Sequence, residues 1–410
     1  MKFYKNIDTC RLCGYSKIIH IMSLGHMTLT GIFSKNKSKS IANGPVDLVQ
    51  CDLCKLVQLL QTYNLKDMYG LNYGYRSGLN SSMVNHLKSN IDYIRQFVSL
   101  KNQDIVLDIG SNDGTTLNCL SKNNLLLIGM DPSGEKFRQY YNSDVTLITD
   151  FFSKEKFTNL FNNKKASLVT SFSMFYDLED PLQFAQDVHS ILDIDGIWFM
   201  EQSYLPSMIK TNSFDTICQE HLEYYSFNQI EYLAEKIGFN ILDVNTNDVN
   251  GGSFQVVLGK NKKLNSENQK KIKKFKDDEK IFFQSQPFQK FKNNVLKAKI
   301  DLINMLTKLK ADNKRVFALG ASTKGNVLLQ FFEIDKLLIP YIGEVNSTKF
   351  GTFTPGTNIP IISEDDLLKK NPDYLLILPW HFRNFFINNE KFKGIKLIFP
   401  LPKLEIIHVN

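Results

Sequence analysis

The 410-residue chain has no long apolar run. Its longest apolar stretches, LLLIGM at 125–130 and DYLLILPW at 373–380, fall far short of the roughly 20 residues needed to span a bilayer, so no membrane partner is expected. The opening residues MKFYKNIDTC carry no apolar h-region, so the sequence predicts no secretory signal. It therefore predicts a cytoplasmic chain with reduced thiols. Distributed positive charge is also missing. The formal net charge is +7, but 17 Lys/Arg against 6 Asp/Glu lie between Lys260 and Arg315, an excess of 11. The rest of the chain is therefore at 7 − 11 = −4. Basicity confined to one segment argues against a nucleic-acid groove. That segment places Phe288, Phe291, Val295, Ala298, Leu302, Leu306 and Leu309 at helical spacing, with Pro287 at its start. It predicts a long helix with a solvated lysine face. What remains is ordinary soluble composition, 43% hydrophobic and 22% charged, in a chain long enough for two or three domains.

Cysteine is sparse, with six residues, yet four of them are paired by spacing. Cys10-Arg-Leu-Cys13 and Cys51-Asp-Leu-Cys54 are two C-x2-C knuckles. A knuckle puts two thiolates on one metal at low chain-entropy cost, and two knuckles complete a tetrahedral zinc shell. Disulfides are disfavoured in a reducing compartment. A four-cysteine site is closed, so this zinc serves folding rather than chemistry. Cys119, after the glycine-rich loop, reads as core.

The dinucleotide pattern G-x-G-x-x-G is absent. Instead an apolar strand, Ile105–Ile109, carries Asp108 near its end and runs into Gly110-Ser111-Asn112-Asp113-Gly114, with a helix expected from about Thr115. Such a loop lets a ligand approach the backbone at a helix N-terminus. A second strand ends at Asp131, placed to accept from both ribose hydroxyls of an adenosine ligand. Further strands are expected up to Asp150, over 166–173 with Ser171, and over 196–203, followed by the hairpin-like pair FNILDVN and SFQVVLGK. The ordered set Asp108, Gly110, Gly114, Asp131, Asp150 and Ser171 resembles the class I S-adenosylmethionine-dependent methyltransferases. NAD binding is the competing reading of the same architecture.

The C-terminal part reads as a second α/β unit. Strands are expected at RVFALGA, IPYIGEVN, DYLLILPW and IKLIFPL, with TPGTNIPII as a turn-rich connection. Gly320, Ser322, Thr323, Lys324 and Gly325 could cradle a diphosphate through backbone N–H groups and the Lys ammonium.

One stretch concentrates proton-moving groups. FDTICQEHLEYYS, 214–226, holds Asp215, Cys218, Glu220, His221, Glu223, Tyr224 and Tyr225, and Ser226 is placed to cap a following helix. Together the knuckles, DIGSNDG, this stretch, NGGSFQV and GASTKGNVLL resemble the sugar C-methyltransferases over almost the whole chain. The resemblance implies a zinc-binding module over 1–70 and a Rossmann-like methyltransferase domain over 71–260. A helical linker, 261–312, and a Rossmann-like substrate-binding domain, 313–410, follow. It implies methyl transfer from S-adenosylmethionine to a carbon of a nucleotide-linked keto-deoxysugar through an enolate, in branched-sugar or surface-polysaccharide biosynthesis. It further implies a monomer with Zn2+ and S-adenosylmethionine as cofactors. Ser111 and Asn112 join the cofactor residues on this reading. His221 is the first base candidate and Glu220 its partner or relay. Tyr224 or Tyr225 is a donor for the enolate oxygen, and Tyr73 and Tyr75 face the substrate with Ser322, Thr323 and Lys324. The chain departs from the Tyr-His-Glu-His pattern of many members, reading Cys218-Gln219-Glu220-His221, and it carries Asp177 where many have a histidine. Cys218 is then either a thiol base or a packing residue, and O-methylation of a sugar or other small acceptor is the alternative.

Overall fold

A computed structural model describes residues 3–36, 41–64, 68, 74–121, 124–262 and 264–409. Tyr73 lies outside the described residues.

The N-terminal module is a small antiparallel assembly. Its strands are β1 (Tyr4–Asn6), β2 (Ile18–Thr28), β3 (Asn43–Cys51), β4 (Val57–Leu59) and β5 (Gln61–Tyr63). β2, β3 and β4 pair in turn, and β1 pairs with β5. Tight turns follow both knuckles, with Gly14 at φ +71° and Lys55 at φ +61°.

The central unit is built from β6 (Ile105–Ile109), β7 (Leu126–Met130), β8 (Val145–Ile148), β9 (Ala166–Phe172), β10 (Leu192–Ser203), β12 (Asn240–Asn247) and β13 (Ser253–Gly259). Their order is β12-β13-β10-β9-β6-β7-β8, with β13 antiparallel to both neighbours. β6 is buried along its whole length, which is why it reads as an unbroken apolar run around Asp108. Chain order reverses between β6 and β9, so a crevice opens at their carboxyl ends. This is the class I methyltransferase sheet. β11 (Glu223–Tyr224) leaves it and pairs with β4 instead, extending the N-terminal sheet to β11-β4-β3-β2.

A third sheet holds β14 (Val316–Leu319), β15 (Ile342–Glu344), β16 (Ile361–Ser363), β17 (Tyr374–Ile377), β18 (Lys396–Phe399) and β19 (Glu405–His408), in the order β16-β15-β14-β17-β18-β19. β16 overlaps the end of the stretch expected to be a turn-rich connection, and β19 is an antiparallel edge beyond the last expected strand. The helix Pro287–Ala311 buries Phe291, Val295, Ala298, Leu302, Leu306 and Leu309, as their spacing predicts. A second basic helix, Ser266–Gln284, precedes it.

The cores do not follow the sheets. Met22, Leu24, Val46, Leu48, Val57 and Leu59 of the N-terminal module share one apolar cluster with Leu205–Tyr224 and the C-terminal sheet. Cys10, Leu12, Cys51 and Leu56, from the opposite side, join the cluster under the central sheet.

Candidate active site

The four knuckle cysteines converge. Their sulfurs all lie within 4.8 Å of one another, and the Cys10–Cys54 and Cys13–Cys51 pairs are 3.5 Å apart. A tetrahedron of thiolates about 2.3 Å from zinc has edges of about 3.8 Å, so the donor set fits the metal. The hydrogen bond from Cys54 pulls the Cys10 thiol down to about 5, while the same contact pushes Cys54 well above its usual range. Backbone N–H groups of Gly14 and Lys55 close each knuckle on the carbonyls of Cys10 and Cys51.

The glycine loop is built as a cradle at the crevice. Gly110 and Gly114 stand at φ +74° and +75°, a left-handed conformation that favours glycine. A Cβ at Gly114 would also strike the Tyr141 ring. The Tyr141 hydroxyl meets Ser111 Oγ and donates to the Asn112 carbonyl, both at 2.8 Å, which braces the loop from the side. Asp108 and Asp131 end adjacent strands beneath it. Burial pushes Asp108 up to about 7, although Thr170 Oγ1 donates to it at 2.7 Å. Asp131 is raised by burial too, and accepts from the backbone of Asn112 at 2.8 Å and of Ser133 at 2.6 Å. Two buried acids beside backbone in left-handed conformation suit a cationic adenosine ligand, so the cradle fits S-adenosylmethionine. Asp150 stands farther out, exposed and paired with Lys156. Ser171 turns its hydroxyl to the Trp198 indole N–H at 3.0 Å and contributes no free side chain to the crevice.

Asn112 has a task the sequence did not reveal. Its side-chain amide accepts from Ser77 N at 2.9 Å and donates to the Tyr75 carbonyl at 3.2 Å, while Asp113 accepts from Gly78 N. The Tyr75 segment is thereby docked on the cofactor loop. Tyr75 keeps 47% of its surface open, yet desolvation raises its phenol to about 12.

Burial dominates the chemistry of 214–226. His221 Nδ1 donates to the Thr216 carbonyl at 2.8 Å, which fixes the tautomer and leaves the lone pair on Nε2. Its ring packs edge-on against Tyr176, 4.5 Å between centroids. Burial and the charge of Lys324 lower this imidazole to about 4, against the opposing hydrogen bond to Thr216. Glu220 moves the other way: burial raises it to about 7 despite a hydrogen bond from the Thr323 side chain. The other candidates turn inward. Tyr224 donates its hydroxyl to the His221 carbonyl at 3.1 Å, and Tyr225 donates to Glu223. Cys218 is fully buried, its thiol held well above its usual range by burial, and it belongs to the shared apolar core.

The C-terminal glycine loop reaches this stretch. Ser322 Oγ accepts from Gly325 N at 3.0 Å and caps the helix Thr323–Phe331. Thr323 meets Glu220. Lys324 Nζ donates to the Asn250 carbonyl at 2.6 Å; burial lowers its ammonium, and the charge of Asp215 opposes that. Asp215 in turn accepts from the Trp380 indole at 2.8 Å. Trp380 and Tyr176 were not singled out in the sequence, and Asn250 only as the start of NGGSFQV, because their roles depend on contacts between segments far apart in the chain.

Three family models match the chain in order: a zinc binding domain over residues 10–69, a methyltransferase domain over 48–244 and a C-methyltransferase C-terminal domain over 248–402. The C-methyltransferase NovU of Streptomyces niveus is 27% identical over 409 residues, covering 98% of this chain and 97% of that protein. Among solved structures, the cyclopropane synthase MmaA2 from Mycobacterium tuberculosis aligns with 48% of this chain and 90% of its own, at 13% identity and TM-score 0.35. The PH0226 protein from Pyrococcus horikoshii OT3 aligns with 45% of this chain and 94% of its own, at 16% identity and TM-score 0.37.

Proposed function

We propose, since this chain belongs to the C-methyltransferase family and uses S-adenosylmethionine as methyl donor, that its acceptor is a carbon of a nucleotide-linked keto-deoxysugar, methylated through an enolate. The observation that supports this reading is that Glu220 and His221 lie against Thr323 and Lys324 of the C-terminal loop, with the His221 ring packed on Tyr176 just after β9.

The two groups divide the work by their environments. Removing a proton beside a ketone needs a base whose pKa lies near working pH, and Glu220, at about 7, answers to that. His221, at about 4, stays neutral and offers Nε2 as an acceptor for a sugar hydroxyl or as a secondary base. This reverses the order that composition alone suggests. Tyr75, with an open ring and a protonated phenol, is the donor for the enolate oxygen in place of Tyr224, whose hydroxyl is taken by the His221 carbonyl. Cys218 serves packing. Asp108, Gly110, Ser111, Asn112, Gly114 and Asp131 hold the cofactor, which supplies an electrophilic methyl group when bound. Ser322, Thr323 and Lys324 bring positive charge and a helix N-terminus toward the anionic part of the substrate. The reading supports a place in branched-sugar or surface-polysaccharide biosynthesis.

The test is mass spectrometry of S-adenosylmethionine with nucleotide-linked 4-keto-6-deoxy sugars, run in deuterium oxide. A methyl gain on carbon, with solvent deuterium entering beside the ketone when the cofactor is withheld, is the expected result. A methyl found on oxygen by NMR would replace the enolate reading with the O-methyltransferase alternative. No gain on any keto sugar would overturn the substrate class.

A further inference from the structure

The segment that carries Glu220 and His221 is hydrogen-bonded into the zinc module more than into its own sheet. Glu223 and Tyr224 form β11, registered against Gln58 and Val57 of β4. Leu59 N donates to the Leu222 carbonyl at 2.8 Å. On the other side, Gln219 Nε2 donates to the Met27 carbonyl at 2.9 Å. Gly31 lies so close to Glu220 that a Cβ there would overlap its carboxylate. The module therefore grips residues 219–224 from β4 beneath and from the strap 27–31 above.

Arg11 stands at the root of this grip, between two cysteines of the first knuckle. Its guanidinium donates to the Leu59 carbonyl at 2.6 Å, the Gln61 carbonyl at 3.0 Å and Thr62 Oγ1 at 2.7 Å, and it reaches Gln58 Oε1 at 3.3 Å. Its backbone N–H also donates to Gln58 Oε1, at 3.1 Å. All five of these bonds end on Gln58 or on its neighbours in β4 and β5. Gln58 and Val57 are the residues that pair with β11. The second knuckle joins from its own end, where Gln229 Nε2 donates to the Cys54 carbonyl at 2.7 Å and Gln229 Oε1 accepts from Ser226.

We infer that Arg11 is a positioning residue, through which the metal-bound knuckle fixes β4 and, across the β4–β11 ladder, the placement of Glu220 and His221. The zinc module on this account sets the geometry of the base as well as stabilising the fold. A planar fork of donors suits several carbonyls at once, which a lysine ammonium on a flexible stem does not reproduce. Placement errors of an ångström at a base are worth about a hundredfold in rate. The inference rests on the proposed function only for the role of the segment it positions.

The test reads structure first, so that it survives a wrong substrate. Hydrogen exchange by mass spectrometry is measured on zinc-loaded wild type and zinc-loaded Arg11→Met, with metal content checked for both. The expected result is exchange at least tenfold faster in peptides covering 56–63 and 218–226. Peptides covering 105–114 stay unchanged, with S-adenosylmethionine affinity within twofold. On the true acceptor, kcat falls at least tenfold with little change in KM, and Arg11→Lys restores only part of it. Faster exchange in 56–63 with 218–226 unchanged would overturn the inference, as would a fall in kcat with no change in exchange. Should Arg11→Met loosen 105–114 as well, Thr62→Val, which removes one acceptor of the fork, is read in the same way. Unchanged exchange in 218–226, in a variant that loosens 56–63, would then be the refuting result.

Discussion

At the scale of single residues, two adjacent side chains are driven in opposite directions by one cause. Burial disfavours charge, so it raises the carboxyl of Glu220 to about 7 and lowers the imidazole of His221 to about 4. A base acts when deprotonated. The rate of proton removal should therefore rise with pH up to a plateau above about 7, following Glu220. His221 takes up its proton around and below pH 4 and should add no limb between pH 5 and 9. Glu220→Gln should lower kcat/KM by about a hundredfold or more and flatten this limb. His221→Ala should lower the rate while leaving the limb in place. A pH–rate profile of the three proteins checks both statements. A limb that persists in Glu220→Gln would assign the titration elsewhere, with Asp108, also near 7, as the next group to examine.

At the scale of elements, the helix Phe227–Ile237 shows what the sequence made legible and what it hid. Ser226 was readable as the residue before it, and Ser226 does stand at its N-cap, with Gln229 Oε1 accepting from the Ser226 backbone at 3.0 Å. The first free amides, however, are taken by a residue about fifty positions away. Glu279, buried on the helix Ser266–Gln284, accepts from Phe227 N at 2.7 Å, Asn228 N at 3.1 Å and the Tyr204 hydroxyl at 3.0 Å. In the sequence Glu279 is one charge within a lysine-rich run. Glu279→Ala would leave buried donors unpaired at a helix N-terminus, so it should destabilise by about 2–4 kcal/mol, measured by urea unfolding with the fitted slope unchanged. A loss under about 0.5 kcal/mol would mean that water satisfies these donors. The same contrast runs through the chain. β6, β7, β9 and β10 announce themselves through short, mostly apolar stretches, and β12–β13 through a hairpin pattern. β16 is only three residues long and hides in a proline- and glycine-bearing connection, and β11 hides in the polar stretch 214–226. The candidate site followed the same rule. Spacing exposed the cysteines and the glycine loop, whose geometry is local. The division of labour among Glu220, His221, Tyr75 and Tyr224 needed burial and hydrogen-bond direction, which no spacing encodes.

At the scale of the whole molecule, the sheets are separate but the cores are shared, and that has a measurable consequence. The zinc module contributes one face to the cluster that fills the C-terminal sheet and its cysteine side to the cluster under the central sheet. Only two tryptophans exist, one in each neighbouring unit: Trp198 in β10 and Trp380 beside the end of β17. Trp198→Phe leaves Trp380 as the sole reporter of the C-terminal unit, and Trp380→Phe leaves Trp198 as the reporter of the central one. Removing the metal with a chelator should lower the thermal midpoint seen by each tryptophan by at least about 5 °C, the shift that about 2 kcal/mol produces in a domain of this size. S-adenosylmethionine should raise the midpoint seen by Trp198 by mass action, since its cradle belongs to the central sheet. Trp380 belongs to the apolar cluster shared with the zinc module, and its indole donates to Asp215 of the central unit, so a shift there reports coupling across module boundaries. A midpoint at Trp380 that ignores the chelator, while the midpoint at Trp198 falls, would show that the shared cluster is contact without cooperativity. The module would then be coupled to the central sheet alone.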